Sequence, residues 1–488
     1  MQDVRDARVP RSFARFWTEV PFWVILIAAA LLRCIEAIRR PLQVDEALTL
    51  DMAGLPLKQG VALMGADVHP PLILIMLHPF EALHVPDVVV RVIMVALGIA
   101  SVAIIYAIVN LWAGRVPALI AMMLAAAMPT IVFYDTWVRM YAPFSTIELL
   151  SWYFLSVVFV KHDLSVVKRR TVWAGWVLCT IASLYLLYLA LFVLASQLIW
   201  IAVRERAALV KPLIGAVVAL AAFLPQLPVF IHQMSFGGQS WPWGLEHPGA
   251  AIFRIPGEAL LHPETDAWLD PIHVIAVVGL AAALAAVFFF SRDTALPWLG
   301  LSSLLVVLVS LAKHESLYLD RYFLLLGYAA CAWCGVALAK VAAMPRPGGL
   351  AVAGIVALVA AYGIVRATNP YFYTADWPAI WSYVALRADS RDAVVAEQPS
   401  SLLALKRILP RTPFAQIGVD AGGQVAAAKT ETIKTHRRIW LVLFEATAVD
   451  PNSDLLKDLS PYYRVDRVTR FDRATTGESV TVAELNRK

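Results

Sequence analysis

The sequence predicts an α-helical polytopic membrane protein with a small C-terminal α/β soluble domain, and three observations predict it. The chain of 488 residues is 60% hydrophobic and only 16% charged, against about 45–50% and about 25% in soluble domains. Its apolar residues gather in runs of roughly 18 or more with few charges, the length that crosses about 30 Å of hydrocarbon. From residue 370 onward these runs give way to short alternating stretches separated by turn residues. The net charge of +5 comes from short basic clusters between apolar runs. That is the pattern of cytoplasmic loops, and it gives no ground for a nucleic-acid partner.

Eleven crossings follow in order, at about 20–38, 87–111, 116–134, 140–160, 171–186, 188–203, 211–231, 271–290, 294–312, 321–341 and 348–366. Residues 171–203 form one unbroken apolar run with basic flanks on both sides, "KHDLSVVKRR" before and "RER" after. A tight hairpin near Tyr185–Tyr188 keeps both flanks on the cytoplasmic side; one long tilted helix would reverse everything downstream. With the hairpin, the Arg-rich N-terminus, Arg115, 161–170, 204–211, Arg292 and Lys340 to Arg346 are cytoplasmic. The loops 39–86, 232–270 and 313–320 face the other side, as does the tail from 370, because eleven is odd. Arg39 and Arg40 lie against the rule on the outer side, which suggests a local use. Residues 1–19 carry Arg5, Arg8, Arg11 and Arg15, and the apolar run after them has no small-residue cleavage pattern, so no cleavable signal is expected. Cys34, Cys179, Cys331 and Cys334 all lie in apolar runs and read as core residues.

Inside the first outer loop, "HPPLILIMLHPFEAL" begins a helix at its prolines. It is too short to span and is expected along the interface, with Leu72, Ile75 and Met76 toward lipid or the bundle. In the tail, "DWPAIWSYVALRADS" reads as an amphipathic helix. "AVVAE", "FAQIG", "RRIWLVLFE", "YYRVDRVTRF" and "ESVTVAEL" read as strands of a compact α/β domain. The division is therefore 1–369 for the membrane domain and 370–488 for the soluble one.

Ionisable residues collect at the outer face. Asp45 and Glu46 lie just past the first crossing, Asp67 and His69 at the end of the same loop, and Arg91 at the start of the second crossing. Asp135, Arg139 and Tyr141 sit in the turn "YDTWVRMYAP". Lys313, His314, Asp320, Arg321 and Tyr322 sit in "AKHESLYLDRYF". Charges beside lipid usually face a cavity or a partner. Singly, each has a plainer reading: a helix start for the acidic pair, a headgroup anchor for Arg139 and Arg321, a buried structural partner for Glu148. Together they suit an acid/base group beside a cationic cradle for a phosphate.

"VDEALT", followed by "HPPL" and "VRVIMVALG", resembles the start of membrane glycosyltransferases of the GT-C fold. The nearest likeness is to the protein O-mannosyltransferase and lipid A aminoarabinose transferase superfamily. "VRMYAPFST" and "DRYFLLLGY" resemble that family's later turns. The resemblance implies an inverting transferase that takes a sugar from a polyprenyl-phosphate donor to a lipid, glycan or protein acceptor at the periplasmic face of a bacterial inner membrane. Carried over, Asp45 is the general base, with Glu46 orienting it or the acceptor or sharing in metal binding. Arg139, Lys313, His314 and Arg321 are candidates for the phosphate, and His69, Arg91, Tyr141 and Tyr322 for substrate contacts. A divalent metal stays open: Asp67 and His69 are its candidate ligands, and their spacing defines no metal site. The alternative class is a secondary transporter or flippase. It would show inverted repeats with matched helix breaks, and the two halves show none.

Overall fold

The computed structural model of the chain describes residues 11–235, 255–261, 271–313, 320–345, 347–369, 375–419, 427–444, 454–471 and 480–488. Twelve helices cover its first half: α1 (Arg11–Arg39), α2 (Val44–Gly54), α3 (Leu57–Ala66), α4 (Leu72–Ala82), α5 (Asp87–Ala113), α6 (Arg115–Ala127), α7 (Pro129–Tyr134), α8 (Tyr141–Val160), α9 (Val166–Leu186), α10 (Ala190–Arg204), α11 (Val210–Phe223) and α12 (Leu227–Ser235). Helices Pro271–Ser291, Leu301–Lys313, Leu324–Ala342 and Pro347–Thr368 complete the bundle. All eleven predicted crossings are helical. Among the described residues, seven segments are able to span by length and hydropathy: Glu19–Arg39, Asp87–Ala113, Tyr141–Val160, Val210–Ser235, Pro271–Ser291, Arg321–Ala342 and Pro347–Thr368. The third, sixth and ninth crossings are shorter apolar helices, and the fifth, α9, opens with the basic "VVKRR".

The third crossing is short because Pro129 breaks it. Proline has no N–H to give the carbonyl four residues back, so Ala125 loses its helical donor. Arg33 of α1 replaces it: Nη2 donates to the Ala125 carbonyl at 3.1 Å and Nη1 to the Ala126 carbonyl at 3.1 Å. The same guanidinium pairs with Asp135 at 2.8 Å, and the Tyr328 hydroxyl donates to Asp135 at 3.0 Å. Asp135 and Arg33 are fully buried. A broken helix is thus tied to the turn that follows it. Helices approach closely at small residues, as membrane bundles require. A Cβ on Gly98 would stand 2.6 Å from Asp135, and one on Gly335 2.6 Å from the Pro117 carbonyl.

The hairpin reading of 171–203 holds. Leu187 is extended and separates α9 from α10. Tyr185 donates to the Ala222 carbonyl and Tyr188 to Gln233, which fastens the turn to α11 and α12. At the opposite end, Arg204 pairs with Asp293 at 3.1 Å and donates to the Arg292 carbonyl. Two of the basic loops assigned to one side therefore meet. The loop 39–86 holds more structure than predicted: α2 and α3 precede the short helix α4. The buried face of α4 is Ile73, Leu74 and Leu77, while Ile75 is exposed.

All five predicted strands form: β1 (Asp392–Ala396), β2 (Ala415–Gly418), β3 (Arg438–Phe444), β4 (Tyr463–Phe471) and β5 (Val480–Arg487). They make one sheet in the order β2-β1-β3-β5-β4, parallel at β2-β1-β3 and antiparallel at β3-β5-β4. β1 is buried throughout, as expected of a strand covered on both faces. One face packs on Ile433, Leu455 and Leu459. The other packs on Trp377, Trp381, Leu402 and Leu405, and this core also takes in Val44 and Ala47 of α2. Arg407 extends the contact, pairing with Glu81 at 2.8 Å and Asp87 at 2.7 Å.

Candidate active site

Helix α2 organises the site. Pro41 follows α1, and Gln43 is extended before the helix begins at Val44. Glu46 at the third helical position accepts the Gln43 N–H at 3.1 Å, half of a capping box. Successive helical side chains point about 100° apart, so α2 presents three faces. Val44 and Ala47 meet the C-terminal domain. Glu46, Leu50 and Ala53 are buried. Asp45 and Thr49 share the third face.

The two carboxylates therefore have different surroundings. Glu46 is 0% exposed. Arg40 grips it with two hydrogen bonds of 2.6 and 3.0 Å, Arg91 adds one of 2.9 Å, and the Val138 N–H donates at 3.0 Å. Burial alone would raise its pKa, but the Arg40 and Arg91 charges and these hydrogen bonds outweigh it and hold the carboxyl at about 2. With every oxygen engaged inside the protein, Glu46 does not stand beside Asp45 facing a ligand. Arg91 is equally committed, since it also donates to the carbonyls of Ala37, Arg40 and Pro41. Arg40 has its local use here: it is the partner of Glu46 and lies over the Trp137 ring, 5.3 Å from its centroid.

Asp45 keeps a carboxylate that is 33% exposed, with Arg321 3.8 Å away. Arg139 lies on the same face. It is 3% exposed, yet both of its hydrogen bonds go to uncharged oxygens: Thr49 Oγ1 at 2.7 Å and the Asp45 carbonyl at 3.3 Å. Its Nε is buried with no partner. The Tyr141 hydroxyl lies in the field of Arg139, Arg321 and Asp45, and Arg321 stacks over the Tyr141 ring at 6.0 Å. Tyr322 is within electrostatic reach of Tyr141, Arg321, Arg139 and Asp67.

Asp67 accepts from His69 Nδ1 at 2.9 Å. Burial opposes ionisation of Asp67, but the hydrogen bond from His69 and the Arg139 charge prevail and hold it at about 2. Burial, assisted by Arg139 and Arg321, keeps the His69 pKa below its ordinary value, so the imidazole is neutral. No third His, Cys, Asp or Glu joins this pair in a metal-binding group among the described residues. His314 lies outside the described residues, as does the side chain of Lys313. Asp135, locked to Arg33, is set apart from the site by its full burial. Sequence reasoning missed Thr49, although its place four residues after Asp45 puts it on the same helical face.

So built, the chain is a polytopic helical bundle whose acidic and basic residues converge at one end, under a mixed-sheet domain. No family profile and no curated protein matches its sequence, but solved structures share its architecture. The lipid A aminoarabinose transferase ArnT from Cupriavidus metallidurans, bound to undecaprenyl phosphate, matches with a TM-score of 0.57 and 13% identity, over 96% of this chain and 98% of its own. The apo form of ArnT gives a TM-score of 0.59 at 12% identity, with the same coverage. The oligosaccharyltransferase AglB from Archaeoglobus fulgidus, in complex with an inhibitory peptide and a dolichol-phosphate, gives 0.55 at 10% identity, over 92% of this chain and 73% of its own. The fold is that of the GT-C membrane glycosyltransferases.

Proposed function

We propose that the chain is an inverting glycosyltransferase of the bacterial inner membrane. It moves a sugar from a polyprenyl-phosphate donor to a lipid, polysaccharide or protein acceptor at the periplasmic face, where the C-terminal domain also lies. The neighbours support the donor class, since one was solved with undecaprenyl phosphate and another with a dolichol-phosphate. Asp45 takes the proton of the acceptor hydroxyl as that oxygen attacks the anomeric carbon. The bond from that carbon to the phosphate oxygen breaks on the opposite side, and polyprenyl phosphate leaves with the electron pair. Arg139 and Arg321 meet the negative charge that develops there, with Tyr141 and Tyr322 beside them. Glu46, Arg40 and Arg91 position α2, and so position Asp45.

The observation that carries this reading is Arg139. A buried donor left unpaired costs about 1–3 kcal/mol; Arg139 Nε is such a donor, and the guanidinium hydrogen-bonds no carboxylate, while the Asp45 and Asp67 charges nearby keep it cationic. An anion with several oxygens supplies what it lacks, and Asp45 stands next to where that anion would bind. The test is to incubate the purified protein with radiolabelled undecaprenyl-phosphate sugars and an extract of envelope glycans and lipids. A transferase releases undecaprenyl phosphate as label appears in the acceptor. A transporter releases none, and that result would overturn the proposal.

A further inference from the structure

His69 faces two ways. Through Nδ1 it joins Asp67 and the field of Arg139 and Arg321. It also lines a separate cleft of about 490 Å³ between α3 and the start of α12, within the about 300–1,000 Å³ of small-molecule sites. Val61 and Gly65 of α3 and Val229 of α12 give it apolar walls, and His69, Gln226 and His232 give it polar groups. Among the described residues that line it, none is Asp, Glu, Lys or Arg.

The polar groups are those of a hydrogen-bonding site. His69 is 6% exposed, and its Nε2 is buried without a partner. Asp67 is ionised and can only accept, so the proton of the neutral imidazole sits on Nδ1 and Nε2 carries a lone pair. That nitrogen has an acceptor position left unused within the protein. Gln226 Nε2 donates to the Tyr188 hydroxyl, and Gln233 donates to the carbonyls of Met64 and His69, which ties α12 to the wall opposite. The cleft is therefore held open by a framework independent of any ligand.

We propose that this cleft is a subsite for an uncharged sugar ring, brought by the lipid-linked donor or by a glycan acceptor. The inference rests on the transferase reading and deepens it. A sugar ring presents C–H faces to Val61 and Val229 and hydroxyls to His69, Gln226 and His232. Among the described lining residues no carboxylate offsets the cost of desolvating an ammonium group, so amino sugars are disfavoured.

Gly65 supplies the test. A Cβ built there meets only Val229 Cγ1, at 3.6 Å, an ordinary contact, and both residues line the cleft, so a larger side chain there takes up cleft volume. Full-length wild type, Gly65→Phe and Gly65→Ala in nanodiscs are compared for binding of four probes. These are undecaprenyl phosphate alone and the same lipid carrying glucose, mannose or 4-amino-4-deoxyarabinose. Transfer to an envelope extract is measured alongside. All three proteins are expected to bind bare undecaprenyl phosphate equally, and Gly65→Ala, which adds one methyl to the wall, to lose less than Gly65→Phe in every other assay. If the donor brings the ring, wild type binds a neutral lipid-linked sugar at least tenfold more tightly than the bare lipid, and Gly65→Phe loses that gain. If the acceptor brings it, donor binding is unchanged and the extract needed for half-maximal transfer by Gly65→Phe rises at least tenfold. Gly65→Phe within twofold of wild type in all assays would overturn the subsite alone, as would a wild-type preference for the amino sugar. Failure of wild type to bind undecaprenyl phosphate would instead overturn the transferase reading beneath it.

Discussion

Replacing Glu46 with Gln should unsettle the protein more than it disturbs any direct contact with substrate. The substitution keeps the shape of the side chain and leaves Arg40 and Arg91 facing each other without the charge that both hydrogen-bond. A carboxyl moved from 4.5 to about 2 in the folded protein has its ionised form stabilised by about 3 kcal/mol. Breaking a buried ion pair from one side costs about 3–5 kcal/mol, so two routes give the same size. The folded value is the depressed one. The contribution is therefore fully present above pH 4.5 and is lost as pH falls toward 2. The assay is unfolding by a denaturing detergent, followed by tryptophan fluorescence, for wild type and Glu46→Gln. The gap between them should be about 3 kcal/mol near pH 5 and narrow as the pH falls further. Because α2 carries Asp45, transfer should fall together with stability. A variant within about 0.5 kcal/mol of wild type, the range of a surface substitution, would refute the reasoning. It would return Glu46 to a role in contact with substrate.

Two further outcomes are expected. Arg139→Ala should weaken undecaprenyl phosphate binding at least tenfold, since a hydrogen bond to a charged group contributes about 1.5–3 kcal/mol. Arg139→Lys should recover only part of this, because the planar fork is gone; equal binding by all three proteins, read by fluorescence competition, would make Arg139 a structural residue. For topology, cysteines placed at the exposed positions Gln59 and Arg391 should react with an impermeant thiol reagent in intact spheroplasts, and one at Lys168 only after lysis. The reverse pattern would invert the membrane orientation.

Much of this architecture was legible in the sequence because it depends on local signals. Apolar run length gave the eleven helical segments, and the basic flanks of 171–203 gave the hairpin that Leu187 makes. Alternation with turn residues gave all five strands. What was hidden depends on phase and on distance along the chain. Asp45 and Glu46 look equivalent until the helix start at Val44 is known; then one turns toward Arg321 and the other into Arg40 and Arg91. The Arg33–Asp135 pair joins residues 102 apart, and the service Arg33 gives to the carbonyls before Pro129 has no sequence signature. Nor does composition reveal that the C-terminal domain rests on the helix that carries Asp45, through Val44 and Ala47.

The most direct test of the central claim is single-turnover transfer by Asp45→Asn, with undecaprenyl phosphate binding measured on the same preparation. The substitution keeps the shape of the side chain and removes its ability to take a proton. It also leaves in place the backbone carbonyl to which Arg139 donates. General-base catalysis contributes about 10²–10⁴-fold. Binding of undecaprenyl phosphate should therefore stay within a few fold of wild type while transfer falls by about that factor. Transfer at the wild-type rate with binding intact would contradict the assignment of Asp45 as the base.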